Sequence, residues 1–189
     1  MHAYVLMTTH VNLLLTPDKA DNASLLLKQL GQRYVQYINR SYCRSGTLGE
    51  GRFRSSVARE EDYVLACYRY IEVNQARAEM VKHPRYYRWS SYRINAEGQA
   101  SNVITQHEQY RALGRSEEAR REAYRVLVQN RAEVLRDTRA ATNGNYALGS
   151  RRFQAEISAL AGRRVTRGRA GRPPKDPPVP EGKVSSTRR

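Results

Sequence analysis

Two short apolar runs near the start of the chain, residues 3–7 and 11–15, constrain the fold most, because only three residues separate them. Runs of this length are typical of strands, and so short a connection favours an antiparallel hairpin. From Ser24 onward the apolar residues take a helical spacing instead. The sequence therefore predicts an α+β fold with helices packed on an antiparallel sheet.

Two amphipathic helices are predicted after the hairpin. The first runs from Ser24 to about Arg40, with Asn22 or Ser24 as its N-cap. The second starts at Glu60 and runs to about Met80. Between them, alternating Phe53, Ser55 and Val57 predict a further strand. The apolar stripes are Leu27, Leu30, Tyr34 and Ile38 in the first helix, and Val64, Cys67, Tyr68 and Ile71 in the second.

The chain divides into a core over residues 1–95, a helical extension over 96–161 and a basic tail over 162–189. The extension has helical spacing within 105–139 and again in a short helix after residue 149, and its periodicity fits a DNA-binding appendage or a solvated bundle equally well. The HPRYYRWSSY segment before it is either a docking loop for nucleic acid or a wrap around the core. The helical spacing within 105–139 comes from Tyr124, Leu127, Val128 and Leu135, and the short helix carries Phe153, Ile157 and Leu160 on one face.

The charge balance favours a polyanionic partner. The chain has 33 Lys and Arg against 18 Asp and Glu, a net charge of +15, and cations near phosphates release condensed counterions. The tail is rich in Arg and Pro and poor in large apolar residues, so we predict that it is disordered and binds phosphates without sequence preference, partly through an AT-hook-like RGRAGRPPK. Its predicted DNA contacts are Arg167, Arg169 and Arg172.

A cytoplasmic, nucleoid-associated location is predicted. No segment approaches the roughly 20 apolar residues that span a bilayer, so no membrane partner is expected, and the start lacks the charged region and cleavage site of a signal peptide. The two cysteines, Cys43 and Cys67, form no CxxC pair, which agrees with a reducing compartment.

Two pairs of polar residues are candidates for a site. His10 and Asn12 project to the same side of a strand, because side chains alternate between the two faces. Tyr70 and Asn74 are neighbours at i, i+4 on the second helix, away from its apolar stripe. Each pair is also compatible with an ordinary exposed surface, so neither identifies a site alone.

Three segments in order, HAYVLMTTHVNLLLTP, GTLGEGRFRSSVAREEDYVLACYRYIEVNQARAEMV and HPRYYRWSSY, resemble the REP-associated tyrosine transposases, a group of single-tyrosine HUH transposases. The resemblance covers residues 2–95, and the remainder is similar to the C-terminal extension of many members. It implies a ferredoxin-like fold with helices on one face of an antiparallel sheet. It also implies single-stranded or hairpin DNA as the partner, and it leaves a homodimer as an expectation.

The same resemblance implies the chemistry of the site. A helix tyrosine attacks a phosphate of the DNA while a His-x-His pair and a helix side chain hold Mg²⁺ or Mn²⁺. By position, Tyr70 matches the nucleophile, Asn74 the helix ligand and His10 the first histidine. A divalent cation that polarises the phosphate makes attack by a phenol feasible near neutral pH. In GRFRS, Arg52 and Arg54 are predicted to hold the DNA backbone.

Two departures from the family pattern lower the expected activity. Asn12 stands where the family has its second histidine, and an amide is a weaker ligand than imidazole for transition metals. The resemblance also implies a first strand and helix ahead of HAYVLM, outside this sequence, so we expect the ferredoxin-like core of residues 1–95 to be partial. Three functions stay open: a DNA-nicking and strand-joining enzyme, an impaired relative that only binds structured DNA, and, on charge alone, an RNA-binding protein.

Overall fold

The computed structural model describes residues 1–19, 21–49, 53–58, 61–129, 138, 140–141 and 143–166. Its first elements are strand β1, Ala3–Leu6, and strand β2, Val11–Leu14, which pair antiparallel with Val5 opposite Asn12. Ala3 and Val5 are buried and thus mark the core face of the hairpin. The predicted hairpin and the α+β class are confirmed, and within the described ranges the sheet consists of these two strands.

The HPRYYRWSSY segment covers the edge of β1 that does not face β2. Leu6 N donates to Trp89 O at 2.8 Å, and Ser91 N donates to Tyr4 O at 3.0 Å. Ser91 is buried, whereas Tyr86 and Trp89 keep much of their surface exposed. One end of the segment therefore wraps the core, as one of the two predictions had it, while its aromatic side chains stay accessible.

Helix α1, Asn22–Ser41, is the first predicted helix, and its bounds agree with the prediction. None of its residues is buried, although an apolar stripe is present. Leu30 and Tyr34 of that stripe are exposed, and Leu27 is half-buried. Because α1 makes no extensive contact with another described helix or strand, the predicted apolar stripe is open in this part of the chain.

Helix α2, Glu61–Arg77, packs on both strands and supplies the centre of the protein. Its predicted apolar stripe is buried at every position. The helix ends earlier than the predicted Met80, since Glu79 takes a left-handed backbone with φ of 57°. The main core draws on both sides of residue 95: Ala3, Val5, Val64, Tyr68, Ile71, Tyr92, Ala96, Tyr110, Tyr124 and Val128.

Short helices from the second half of the chain complete this core. The ring of Tyr110 stacks on the ring of Tyr68, with ring centres 5.8 Å apart. The ring of Tyr124 meets Tyr68 edge to face, with ring centres 6.0 Å apart. Such ring pairs are favourable geometries for aromatic packing. Leu135, predicted to lie on the same helical face, is outside the described residues. The described elements after α2 are a 3-10 turn (Pro84–Tyr86) and the helices α3 (Tyr92–Glu97), α4 (Glu108–Arg111), α5 (Glu117–Gln129) and α6 (Arg151–Ala161).

A buried carboxylate, Glu72, joins α2 to three other parts of the core. Asn95 Nδ2 donates to Glu72 Oε1 at 2.6 Å, and Tyr124 Oη donates to Oε2 at 2.6 Å. Ser91 Oγ also donates to Oε1. Burial raises the pKa of Glu72 to about 7, although these three donors favour its charged form. The network fixes how α2 is rotated against the rest of the core.

The strand predicted over Phe53–Val57 does not form. Residues 53–58 pair only through an isolated parallel bridge between Ala58 and Leu148. Ser55 N donates to Asn145 Oδ1 at 2.9 Å, so a turn, and not a strand, lies beside this segment. Alternation alone could not distinguish the two, because an extended segment held by a turn has the same side-chain period.

The end of the chain is described up to residue 166. On the predicted short helix, α6, Phe153 is buried and Ile157 packs beside it, whereas Leu160, predicted on the same face, is exposed. Disorder from Gly162 onward is not confirmed for the first residues, because Val165 is buried and its carbonyl accepts from Ala147 N at 2.9 Å. The rest of the predicted tail, 167–189, lies outside the described residues.

Candidate functional site

His10 lies at the end of the hairpin turn, immediately before β2. Its carbonyl accepts from Met7 N at 2.8 Å, which closes the turn and fixes the backbone. Its Nδ1 lies 3.2 Å from Thr9 Oγ1. When Nδ1 carries the proton and donates to this hydroxyl, Nε2 keeps its lone pair. The exposed ring can then act as a ligand through Nε2, because its other nitrogen is already oriented.

Asn74 on α2 meets this nitrogen across the gap between helix and hairpin. Asn74 Nδ2 lies 3.5 Å from His10 Nε2, a long contact at the limit of a hydrogen bond. The helix packs on both strands, and Asn74 is only half-buried. The structure thus brings together two of the predicted ligands at an accessible rim of the core.

Tyr70 lies one turn before Asn74 on the same side of α2. At about 100° per residue the two side chains are separated by about 40° around the helix, whereas Glu72 points to the opposite side. Tyr70 is half-buried and packs against the main core. Its ring is therefore held in place while one side remains reachable from solvent.

Arg77 completes this row, and sequence reasoning did not identify it. Its guanidinium carbon lies 5.5 Å from the centre of the Tyr70 ring, within the range of a cation–π contact. The i, i+7 spacing from Tyr70 was the available signal, since residues seven apart share a helix face. The exposed cation beside the phenol is well placed to contact a phosphate that reaches Tyr70.

Asn12 carries a shielded polar group without a partner. It lies opposite buried Val5, so its side chain projects from the core face of the hairpin, the face that α2 covers. Asn12 Nδ2 is shielded from solvent and has no hydrogen-bond partner among the residues that the structure describes. A half-turn of the amide would place its oxygen at the same position. An amide in this state is available for a ligand that the hairpin and helix do not supply.

These donors partly fit a divalent cation. Two ligand atoms that share one cation at roughly 2.1 Å lie about 3.0–3.5 Å apart. The atom 3.5 Å from His10 Nε2 is the Asn74 amide nitrogen, which is not a metal ligand, so a half-turn of the amide is needed to bring its oxygen to this position. Asn12 lies on the hairpin face that α2 covers, so it is the third candidate ligand. All three are neutral, however, and the described residues hold no group of three or more His, Cys, Asp or Glu that could bind a metal. Such a set suits a cation bound together with phosphate oxygens rather than one held by protein alone.

The remaining predicted site residues do not join this row. Arg54 is exposed, and its Nη1 donates to Asn143 O at 3.0 Å, in the segment beside the turn that precedes α6. No contact in the described part of the chain links it to His10 or Asn74. The other predicted DNA contacts, Arg52, Arg167, Arg169 and Arg172, lie outside the described residues.

Comparison with known proteins gives no relative for this chain: no family model, no curated protein and no solved structure matches it. Among the helices in the described ranges, none combines the length and apolar character needed to cross a bilayer.

Proposed function

We propose that this chain is a relative of the REP-associated tyrosine transposases that cleaves and rejoins single-stranded DNA at hairpin sequences through Tyr70. One observation carries the proposal: Asn74 Nδ2 lies 3.5 Å from His10 Nε2, with Tyr70 one helical turn away on the same side of α2. A residue of the hairpin turn and a helix residue 64 positions apart in sequence are thus adjacent where the resemblance requires two ligands.

The reaction needs a nucleophile, a way to stabilise charge and a leaving group. Tyr70 Oη forms a bond to phosphorus, the bond from phosphorus to the 3′ oxygen breaks, and the phenol loses a proton as the 3′ oxygen gains one. The product is a 5′-phosphotyrosine and a free 3′-OH, and reversal with another 3′-OH rejoins the strand. Bound Mg²⁺ or Mn²⁺ would supply polarisation of the phosphate, with His10, Asn12 and Asn74 as its protein ligands.

Positive charge supports the DNA partner. Arg77 lies beside Tyr70, and the chain as a whole carries +15. The hairpin with α2 on one face, and the HPRYYRWSSY segment along the other edge of β1, support a ferredoxin-like arrangement. In such an arrangement the DNA would approach the rim where His10 and Asn74 meet, since the opposite side of α2 is buried.

The test is formation of a covalent protein–DNA adduct on a denaturing gel, with a labelled single-stranded oligonucleotide that carries a hairpin, in Mn²⁺. We expect an adduct with the natural chain, none with Tyr70→Phe, and little with His10→Ala or in excess chelator. Tyr63→Phe is the matched control, because Tyr63 is another half-buried tyrosine on α2. An adduct of unchanged yield in Tyr70→Phe would remove Tyr70 from the proposed role.

A second function, binding of structured DNA without cleavage, is favoured by the ligand set. One imidazole and two neutral amides bind a cation more weakly than two imidazoles would. In this case hairpin DNA binds with equal affinity to the natural chain and to Tyr70→Phe, while no adduct forms at any Mn²⁺ concentration. Asn12→His then distinguishes weak ligation from loss of function, because it should restore an adduct only if the remaining site is intact.

A further inference from the structure

Helix α1 and the turn after it present an unusual combination of exposed aromatic rings and cations. Tyr34, Tyr37 and Tyr42 are 58%, 66% and 71% exposed. Residues 22–49 contain Lys28, Arg33, Arg40 and Arg44 but no Asp or Glu, a charge of +4. Lone exposed tyrosines are common, but three along one helix and its C-cap, in an acid-free stretch, form a continuous surface.

The side chains are ordered along this surface. At about 100° per residue Tyr34 and Tyr37 differ by about 60° and share the apolar face, while Arg33 and Arg40 lie along one border of that face. Positions three apart on a helix bring their Cβ atoms within about 5–6 Å. We call the exposed tyrosines 34, 37 and 42 with the arginines 33, 40 and 44 the α1 platform.

The C-terminal part of the α1 platform is fixed by its own hydrogen bonds. Tyr42 N donates to Ile38 O, and Arg44 N to Asn39 O, each at 3.0 Å. Asn39 Nδ2 donates to Gly46 O at 3.0 Å, which ties the turn back to the helix. The rings and cations are thus held on a defined backbone, which lowers the entropy that a ligand must overcome.

We propose that the α1 platform binds single-stranded DNA, with bases against the tyrosine rings and phosphates along the arginine border. Stacking on aromatic rings is tolerant of sequence, and cations beside the rings follow the backbone. None of the four cations of residues 22–49 has an ion-pair partner in the described part of the chain, so all are available to phosphates. The inference rests on the proposed function only for the choice of DNA as ligand, since binding needs neither metal nor Tyr70.

Charge disfavours a second copy of the chain as the occupant. Two copies of residues 22–49 would bring eight cations together with no acid among them, so repulsion opposes the contact. An anionic membrane surface meets the charge requirement, but interfacial helices typically insert Trp, Phe and Leu. Here the exposed C-terminal half of the apolar face is mostly tyrosine, flanked by arginine. The composition therefore favours a polyanion that also has flat rings.

The test measures equilibrium binding of a fluorescein-labelled oligothymidylate of about 20 nucleotides by anisotropy, in chelator, with all variants made in a full-length Tyr70→Phe background. We expect Tyr34→Ala and Tyr37→Ala to weaken binding at least fivefold each, and Tyr37→Phe to bind as well as the parent because the ring is kept. Leu25→Ala is the matched control, since Leu25 is an exposed apolar residue of the same helix that lies outside the α1 platform. An equal loss in the control, or none in Tyr37→Ala, would overturn the inference.

Salt dependence gives an independent readout for the cations. Each phosphate contact contributes about 0.7 to the slope of log K against log salt for single strands, so Arg33→Gln with Arg40→Gln should lower the slope by about 1.4. Arg115→Gln with Arg151→Gln, two exposed arginines elsewhere, should leave it nearly unchanged. If both pairs change the slope equally, general charge and not the α1 platform binds DNA.

Three further measurements separate the alternatives. Circular dichroism should show full helix content in every variant, because no residue of α1 is buried. If the tyrosine variants instead change the molecular mass in sedimentation, or the binding to vesicles of anionic lipid, while DNA affinity stays constant, the occupant is a second copy or a membrane and the inference fails. Loss of covalent adduct with retained oligothymidylate binding contradicts only the proposed function.

Discussion

Replacement of Glu72 by alanine should destabilise the protein by about 2–4 kcal/mol. Two of its three donors keep another acceptor, since Ser91 Oγ lies 3.3 Å from a backbone carbonyl and Asn95 Nδ2 3.2 Å from another. Tyr124 Oη is fully buried and is left without an acceptor among the described residues. An unsatisfied buried donor costs about 1–3 kcal/mol, and the lost methylene adds about 0.8 kcal/mol.

Glu72→Gln keeps the shape of this side chain but removes its charge. Burial raises the pKa of Glu72 from its ordinary value of 4.5 to about 7. A carboxyl whose pKa is raised by folding contributes stability that is fully present below pH 4.5 and is lost as the pH rises through 7. At about 1.4 kcal/mol for each pH unit, the loss is about 3 kcal/mol. Glutamine stays neutral, so this loss should be absent, while Tyr124 Oη can accept from its amide.

The assay is urea unfolding of the natural chain and the variants at pH 5, 7 and 8.5, followed by circular dichroism. We expect the free energy of unfolding of Glu72→Gln to exceed that of the natural chain at pH 8.5 and to fall below it at pH 5. Glu79→Gln, on an exposed residue, is the control for the loss of one negative charge. Parallel pH profiles for Glu72→Gln and the natural chain would refute the buried, titrating carboxyl.

Two further predictions concern the N-terminus and a helix end. Burial lowers the pKa of His2, whose Nδ1 donates to Thr105 O at 2.6 Å, so unfolding in urea should show stability lost as the pH falls below about 6.5 in the natural chain but not in His2→Gln. Gly98→Ala should lower the melting temperature more than Gly46→Ala: both glycines have φ between +77° and +93°, but only at Gly98 would the new Cβ meet a side chain, Arg121 Nη1 at 1.9 Å. Equal effects of the two substitutions would show that backbone strain alone matters.

Local periodicity predicted the elements that bury one face. The α2 stripe from Val64 to Ile71 was predicted because four apolar residues at helical spacing require a single buried side, and the hairpin because its turn is short. For α1, the spacing of Leu30 and Tyr34 indicated an apolar face but carried no information on what covers it. The hydrophobic period of a segment indicates its own secondary structure but not which elements pack against it.

Long-range polar contacts were beyond the reach of the sequence. Glu72 reads as a solvated charge on a helix, because its donors Ser91, Asn95 and Tyr124 lie 19 to 52 residues further along the chain. The pairing of His10 with Asn74 spans 64 residues and was implied by a resemblance and not by spacing. Arg77 could have been predicted as part of the site, because it lies close to Tyr70 in sequence and on the same helix face.

The two sides of α2 connect the stability of the protein to its proposed chemistry. Glu72 lies between Tyr70 and Asn74 in sequence but points about 160° away from each, because successive helical residues are about 100° apart. The hydrogen bonds of Glu72 are therefore made on the side of α2 opposite the one that meets His10. A rigid helix turns as a unit, so the donors that hold Glu72 also determine where Tyr70 points. A charged residue buried in the core, which is costly by itself, thus gives the nucleophile candidate a fixed direction that apolar packing alone specifies less well.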